Sequence, residues 1–138
     1  MALSGAAAVT ATIALLAPSA SAATTTDAAA AACDASKVKV SVSPLSSASR
    51  GGHTVNFVID NQSDCATTGW LIEWDRPANI TDTGAFYMQL TKKGDHYTFT
   101  GQIDSVVPAH SNTTTYPVYG KYTGSYTNPK NLKVTPQF

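Results

Sequence analysis

The sequence predicts an all-β protein, an antiparallel β-sandwich of immunoglobulin-like or jelly-roll type with about seven to nine strands. Three observations predict this class. Apolar and polar residues alternate with a period of two in most segments after residue 33, and turn residues separate those segments roughly every 8–12 residues. No segment after residue 33 carries an apolar stripe at the 3.6-residue period of a helix.

The first three predicted strands supply the core. Residues 37–43 place three valines on one face, and residues 54–59 place three large apolar side chains on one face. Residues 70–75 place Trp70 and Trp74 on one face with an isoleucine between them. Because these indoles are the largest apolar side chains and share a face of one strand, we expect both to lie in the core.

The later predicted strands are 86–91, 96–100, 113–119 and 131–135. Residues 92–95 read Lys-Lys-Gly-Asp, a sequence typical of a hairpin turn between the first two of these strands. Clusters of Gly, Pro, Asn and Ser separate the others.

The chain divides into a targeting segment, an arm and one domain. Residues 1–22 read as a signal peptide, because the apolar run 6–17 is followed by the cleavage sequence Ala-Ser-Ala at 20–22. Residues 23–32 are rich in Ala and Thr, which predicts a flexible arm. Residues 33–138 form the predicted sandwich, which we expect to be secreted. The alternative is an Ala-rich tail without a targeting role.

The two cysteines, Cys33 and Cys65, are predicted to form a disulfide, because cysteines of an exported domain are usually paired. The bond would close a loop of about 33 residues, which contributes roughly 3–4 kcal/mol in the chain-entropy model. Two unpaired, buried thiols are the alternative. Neither cysteine has a second Cys or His at ligand spacing, so we predict no metal site.

Charge excludes two classes of partner. Nine Lys and Arg balance nine Asp and Glu, and 13% of the residues are charged. Binding to nucleic acid or to an anionic membrane needs clustered Lys and Arg. We therefore expect no nucleic acid and, after cleavage of the signal peptide, no membrane as a partner, and we expect a monomer.

No motif of a catalytic site is present in the sequence. Glu73 is the only glutamate, whereas glycosidases act with paired carboxylates across a cleft. The three histidines lack H-E-x-x-H spacing, and G-x-S-x-G is missing. A Ser-His-Asp triad has no fixed spacing and stays open as an alternative. We predict a protein that is not an enzyme and that carries no cofactor.

Four segments occur in the order seen in family 2 carbohydrate-binding modules. They are HTVNFVIDNQSDCATTGWLIEW, FYMQLTKKGDHYTF, IDSVVPAHSNTTTYPVYG and GKYTGSYTNPKNLKV. The Gly-Trp strand of the first and the Tyr-Thr-Gly to Asn-Pro stretch of the last are the most specific. The chain thus resembles this family over most of residues 37–135. The resemblance implies a non-catalytic β-sandwich that binds cellulose, chitin or xylan.

The resemblance also implies which residues would form the binding face. The family carries exposed Trp residues on a flat face, and Phe86 occupies one of these positions. A second falls near residues 103–104, and a third within 44–49, where no aromatic residue exists. The platform is therefore degenerate. Tyr116 matches an aromatic position of the family that faces the core.

The candidate ligand-binding residues are Phe86, Tyr87, Tyr122, Tyr126 and Gln102. Phe86 and Tyr87 are adjacent in a predicted strand, so one of them must point outward. Tyr122 and Tyr126 flank a Gly-rich turn, and tyrosine offers both a stacking face and a hydroxyl. Gln102 could donate or accept a hydrogen bond to sugar hydroxyls, as could four further polar residues, Asn56, Glu73, Asp75 and Asn79. The alternative is that these are ordinary edge aromatics and solvent-facing polar residues.

We predict a secreted module that binds polysaccharide through surface aromatics. The alternative is a secreted structural or protein-interaction sandwich, such as an inhibitor or a surface protein. Coplanar exposed rings at Phe86, Tyr87 and Tyr122 would favour sugar. A patch that curves or includes aliphatic residues would favour protein.

Overall fold

The computed structural model describes residues 33–101 and 106–138. The predicted signal peptide 1–22, the predicted arm 23–32 and the candidate residue Gln102 lie outside the described residues.

The described residues form β-strands after one short 3-10 turn, Ala35–Lys37. The strands are β1 (Val38–Val42), β2 (Ser47–Ser49), β3 (Gly52–Val55), β4 (Phe57–Asn61), β5 (Gly69–Asp75), β6 (Ile80–Ala85), β7 (Met88–Lys93), β8 (His96–Gly101), β9 (Ser111–Thr114), β10 (Val118–Tyr122) and β11 (Lys130–Gln137). The all-β class predicted from the period-two pattern is confirmed, as is the hairpin between β7 and β8, whose turn contains Gly94 at a φ of +63°.

These strands form three antiparallel sheets, with the orders β1-β4-β9, β2-β3-β10-β6 and β11-β5-β8-β7. The first two sheets share a run of chain, because β3 and β4 are separated by one residue, Asn56. The Asn56 side chain donates to the carbonyl of Thr115 at 2.9 Å, and the Thr115 hydroxyl accepts from the N–H of Phe57 at 3.0 Å. The chain therefore changes sheet without leaving these backbone groups unpaired.

The core lies between the first two sheets and the third. Phe57 of β4 packs on Trp74 of β5, with ring centroids 4.9 Å apart, and Trp70 packs on Phe99 of β8 at 5.5 Å. Trp70 and Trp74 are 2% and 0% exposed, which confirms the prediction that both indoles are interior. Any aromatic recognition by the described residues therefore uses smaller rings.

The predicted disulfide between Cys33 and Cys65 is present. It links the residue at which the described domain begins to the turn between β4 and β5, with a Cα–Cα distance of 5.4 Å. Within residues 33–101 and 106–138, no helix is long and apolar enough to span a membrane.

Candidate functional site

Four exposed aromatic rings form a row on the surface, which we call the aromatic patch. Its members are Phe86, Tyr87, Tyr116 and Tyr119, which are 54%, 65%, 38% and 41% exposed. They come from the β6–β7 turn, the β9–β10 connection and β10. Clustered exposed apolar side chains mark surfaces used for binding.

Sheet pairing brings the members of the patch together. β10 pairs with β6, so that Tyr119 lies opposite Gly84 and Val118 opposite Ala85. The Tyr119 ring lies across Gly84, since a Cβ atom at residue 84 would overlap the tyrosine hydroxyl. Glycine at this position thus lets Tyr119 approach the turn that carries Phe86.

Phe86 and Tyr87 are both exposed, so the prediction that they are adjacent residues of one strand was wrong. They form the turn between β6, which ends at Ala85, and β7, which begins at Met88. Tyr87 has a φ of +54°, the left-handed region that a bulky side chain rarely adopts. This conformation interrupts the alternation of strand side chains and leaves two adjacent rings exposed. Strain of this kind concentrates at functional sites.

Tyr116 was expected in the core from the family resemblance, and this was wrong. Its neighbour Thr115 takes the buried position and bonds through its hydroxyl to the backbone of Phe57. Tyr116 therefore turns outward, where its ring meets that of Tyr87 at 5.4 Å.

The rings of the patch are tilted against each other along the row. Tyr119 and Phe86 have centroids 5.5 Å apart and planes at 53°, and Phe86 and Tyr87 are 6.5 Å apart at 45°. Tyr87 and Tyr116 meet at 66°. The rings are not coplanar, although the row consists of aromatic residues alone.

Tyr122 and Tyr126, the other candidate tyrosines, form a separate, half-buried pair with centroids 5.5 Å apart. Tyr126 packs on the buried His53 at 5.3 Å and on the guanidinium of Arg76 at 5.5 Å. Among the described residues, no ring contact joins this pair to Phe86 or the rest of the patch.

A buried polar network lies beneath Tyr126, and its centre is Asp82 of β6. The Asp82 carboxylate accepts hydrogen bonds from His53 at 2.6 Å, from the Trp74 indole at 2.8 Å, and from Arg76 at 2.9 and 3.0 Å. Burial acts to raise the pKa of Asp82, but the hydrogen bonds from His53 and Arg76 outweigh it, so the pKa lies below its ordinary value. The carboxylate is thus held ionised and ties β6 to β3 and β5.

This network was not predicted, although the alternation of residues along β3 and β6 indicates it. His53 shares the parity of the buried Val55 and Phe57, and Asp82 shares that of the buried Ile80. Titratable residues on the apolar face of a strand must find partners inside the core. The network is internal and fully protein-bonded at Asp82, which points to a structural role.

The other polar candidates bond within the protein. Asn56 bonds to Thr115, and the Asn79 side chain donates to the carbonyls of Thr123 and Ser125 at 2.7 and 3.0 Å. Glu73 and Asp75 lie on the solvent face of β5, where both contact His96.

The hydrogen bond that His96 donates to the Asp75 carboxylate at 2.8 Å, and the longer one that it donates to Glu73 at 3.3 Å, raise the pKa of this exposed imidazole. In residues 33–101 and 106–138, no three His, Cys, Asp or Glu residues are grouped as metal ligands.

A family comparison identifies the class of this sandwich. A family model described as "Cellulose binding domain" matches residues 37–138. The chain belongs to the cellulose-binding domain family. This confirms the resemblance to family 2 carbohydrate-binding modules. The chain is therefore a polysaccharide-binding module. A comparison with curated proteins found no match.

Solved structures show the same fold as the module. The chitin-binding domain of Chi18aC from Streptomyces coelicolor has a TM-score of 0.55 at 22% identity, and the match covers 72% of this chain and 91% of that domain. A chitin-binding domain of a chitinase from Pyrococcus furiosus scores 0.53 at 10% identity, over 72% and 92% of the two chains. Chitinase ChiA74 from Bacillus thuringiensis scores 0.53 at 20% identity, over 72% of this chain and 15% of the enzyme.

Proposed function

We propose that the chain is a secreted, non-catalytic module that attaches to insoluble polysaccharide of the chitin or cellulose type through the aromatic patch. The observation that carries the proposal is the row of four exposed rings, in a member of the cellulose-binding domain family whose two tryptophans are buried. Two of the structural neighbours are chitin-binding domains, which supports the same class of ligand.

The patch offers the chemistry that sugar binding requires. A flat ring covers the apolar C–H face of a pyranose and removes both surfaces from water. The three tyrosine hydroxyls of the row add donors and acceptors at the edges of the rings, where sugar hydroxyls lie. Phe86 and Tyr87, the most exposed members, are the proposed primary contacts. Tyr116 and Tyr119 extend the row on either side.

A depletion assay on insoluble chitin, cellulose and xylan tests the proposal. We expect the mature protein to be depleted by at least one of them, and Phe86→Ala with Tyr87→Ala to lose most of that binding. The matched control is Phe138→Ala, since Phe138 is an exposed aromatic residue outside the patch. Equal depletion of the double variant and the control would refute the role of the patch.

The tilt of the rings favours a second candidate function, contact with a protein. Ring planes at 45–66° to each other fit an irregular partner surface better than a flat one. A mature protein that is depleted by none of the three polysaccharides would support this second function against the first.

A further inference from the structure

A small pocket opens at one end of the aromatic patch. Its volume is about 300 Å³, near the lower end of the range for ligand pockets. Trp70, Met88, Tyr116 and the three threonines at 113–115 line it. Tyr116 belongs to both the pocket and the patch, so a chain lying on the patch passes the pocket mouth.

Trp70, one of the residues that line the pocket, carries a buried hydrogen-bond donor without a partner among the described residues. The indole Nε1 of Trp70 has no hydrogen-bond partner among the residues that the structure describes. The other indole, Trp74, donates to Asp82 at 2.8 Å. The great majority of buried donors in proteins have a hydrogen-bond partner. The unpaired N–H of Trp70 therefore calls for an acceptor from outside the described residues.

The lining defines the chemistry of that acceptor. None of the described residues that line the pocket is charged, so the lining suits a neutral group. The indole N–H needs a carbonyl or hydroxyl oxygen, while the Met88 side chain offers apolar contact suited to a methyl group. A carbonyl and a methyl on one small neutral group describe an acetamide.

We propose that this pocket receives the acetamido group of an N-acetylhexosamine unit, with its carbonyl accepting from Trp70. The inference rests on the proposed function and narrows the polysaccharide ligand to chitin, because chitin carries acetamido groups and cellulose does not. The indole nitrogen is covered in the free protein, so the wall must shift to admit the group. Met88 is half-buried and has an unbranched, adaptable side chain, and it is the lining residue best suited to move.

Nuclear magnetic resonance can observe the two indoles separately. The chain has two tryptophans, and Trp70→Phe assigns their N–H signals. During titration of the ¹⁵N-labelled mature protein with N-acetylglucosamine hexamer, we expect a saturable shift of the Trp70 signal. The Trp74 signal should stay in place, because its N–H is already bonded to Asp82. Cellohexaose and the deacetylated glucosamine hexamer should leave Trp70 unshifted.

Variants test the same assignment through affinity. Trp70→Phe should weaken retention on chitin about two- to tenfold, the contribution of one hydrogen bond, and leave retention on cellulose unchanged. Thr113→Met places a larger side chain in the pocket while keeping Trp70, and it should give the same selective loss if Trp70→Phe fails to fold. Thr91→Met, on an exposed strand position outside the pocket, is the matched control.

The outcomes separate the inference from the function on which it rests. Retention on chitin with an unmoved Trp70 signal would overturn the pocket assignment and leave the patch proposal standing. A Trp70 signal that shifts equally with cellohexaose would also overturn it. Lack of retention on chitin, cellulose and xylan would refute the proposed function and the pocket assignment together.

Discussion

Removing the charge of Asp82 should destabilise the sandwich more than most single substitutions. The Asp82 and Arg76 side chains are 0% and 1% exposed, and the carboxylate accepts four hydrogen bonds. In Asp82→Asn the guanidinium stays buried without its counter-charge, and the amide NH₂ group meets donors. Loss of one partner of a buried ion pair costs about 3–5 kcal/mol. That is a large share of the roughly 5–15 kcal/mol that stabilises a small domain.

Urea unfolding followed by fluorescence of the two buried tryptophans measures this cost. In thermal unfolding, at about 4 °C or more per kcal/mol, we expect the Tm of Asp82→Asn to fall by at least about 12 °C. Arg76→Met should cost a similar amount, and the double variant should cost less than the sum of the two single variants by more than about 1 kcal/mol. A single-variant cost below about 1 kcal/mol, or strict additivity, would refute the reasoning.

The pH dependence of stability gives an independent check. Because the pKa of Asp82 is lower in the folded protein than in the unfolded chain, its contribution is complete above the unfolded value of about 3.9. The contribution is lost as the pH falls below that value through the folded pKa. The wild-type protein should therefore lose stability steeply in acid, and Asp82→Asn should show a shallower slope.

Three further predictions concern the patch and the outer sheet face. Tyr87→Asn should raise the unfolding free energy by about 0.5–1 kcal/mol, because asparagine tolerates a positive φ, while weakening polysaccharide retention; a less stable variant would contradict this. Gly84→Ala should displace the Tyr119 ring and reduce retention as much as Tyr119→Ala does, with no further loss when the two are combined. A proton titration of His96 should give a pKa above 6.5, and Asp75→Asn should lower that pKa. The stabilising effect of the protonated His96 should be present below about pH 6.5 and lost as the pH rises through the folded pKa. An unchanged pKa in Asp75→Asn would show that Asp75 does not cause the shift.

Local pattern predicted much of the fold. The alternation around Trp70 and Trp74 was sufficient to place both indoles inside, because a strand with one buried face repeats every two residues. The break at Asn56 was not predictable in this way. The residues on both sides keep the alternating pattern, and the change of sheet depends on hydrogen bonds to Thr115, which is distant in sequence.

The candidate site was predicted less completely, for a similar reason. Phe86 and Tyr87 were identified, but Tyr116 and Tyr119 join them through the pairing of β10 with β6 and through a ring contact across the turn. Such contacts depend on tertiary geometry and leave no local periodicity in the sequence. The left-handed conformation of Tyr87 is likewise imposed by the surrounding structure against the preference of the residue.

The inclination of the rings in the row has a consequence for the physical form of the material that the module prefers. A crystalline fibril presents its sugars as one level plane, on which rings inclined by 45–66° cannot all rest together. A single chain loosened from the fibril can twist to meet each ring in turn. Swollen or colloidal preparations should therefore retain more of the module per gram than highly ordered ones, even after correction for accessible area.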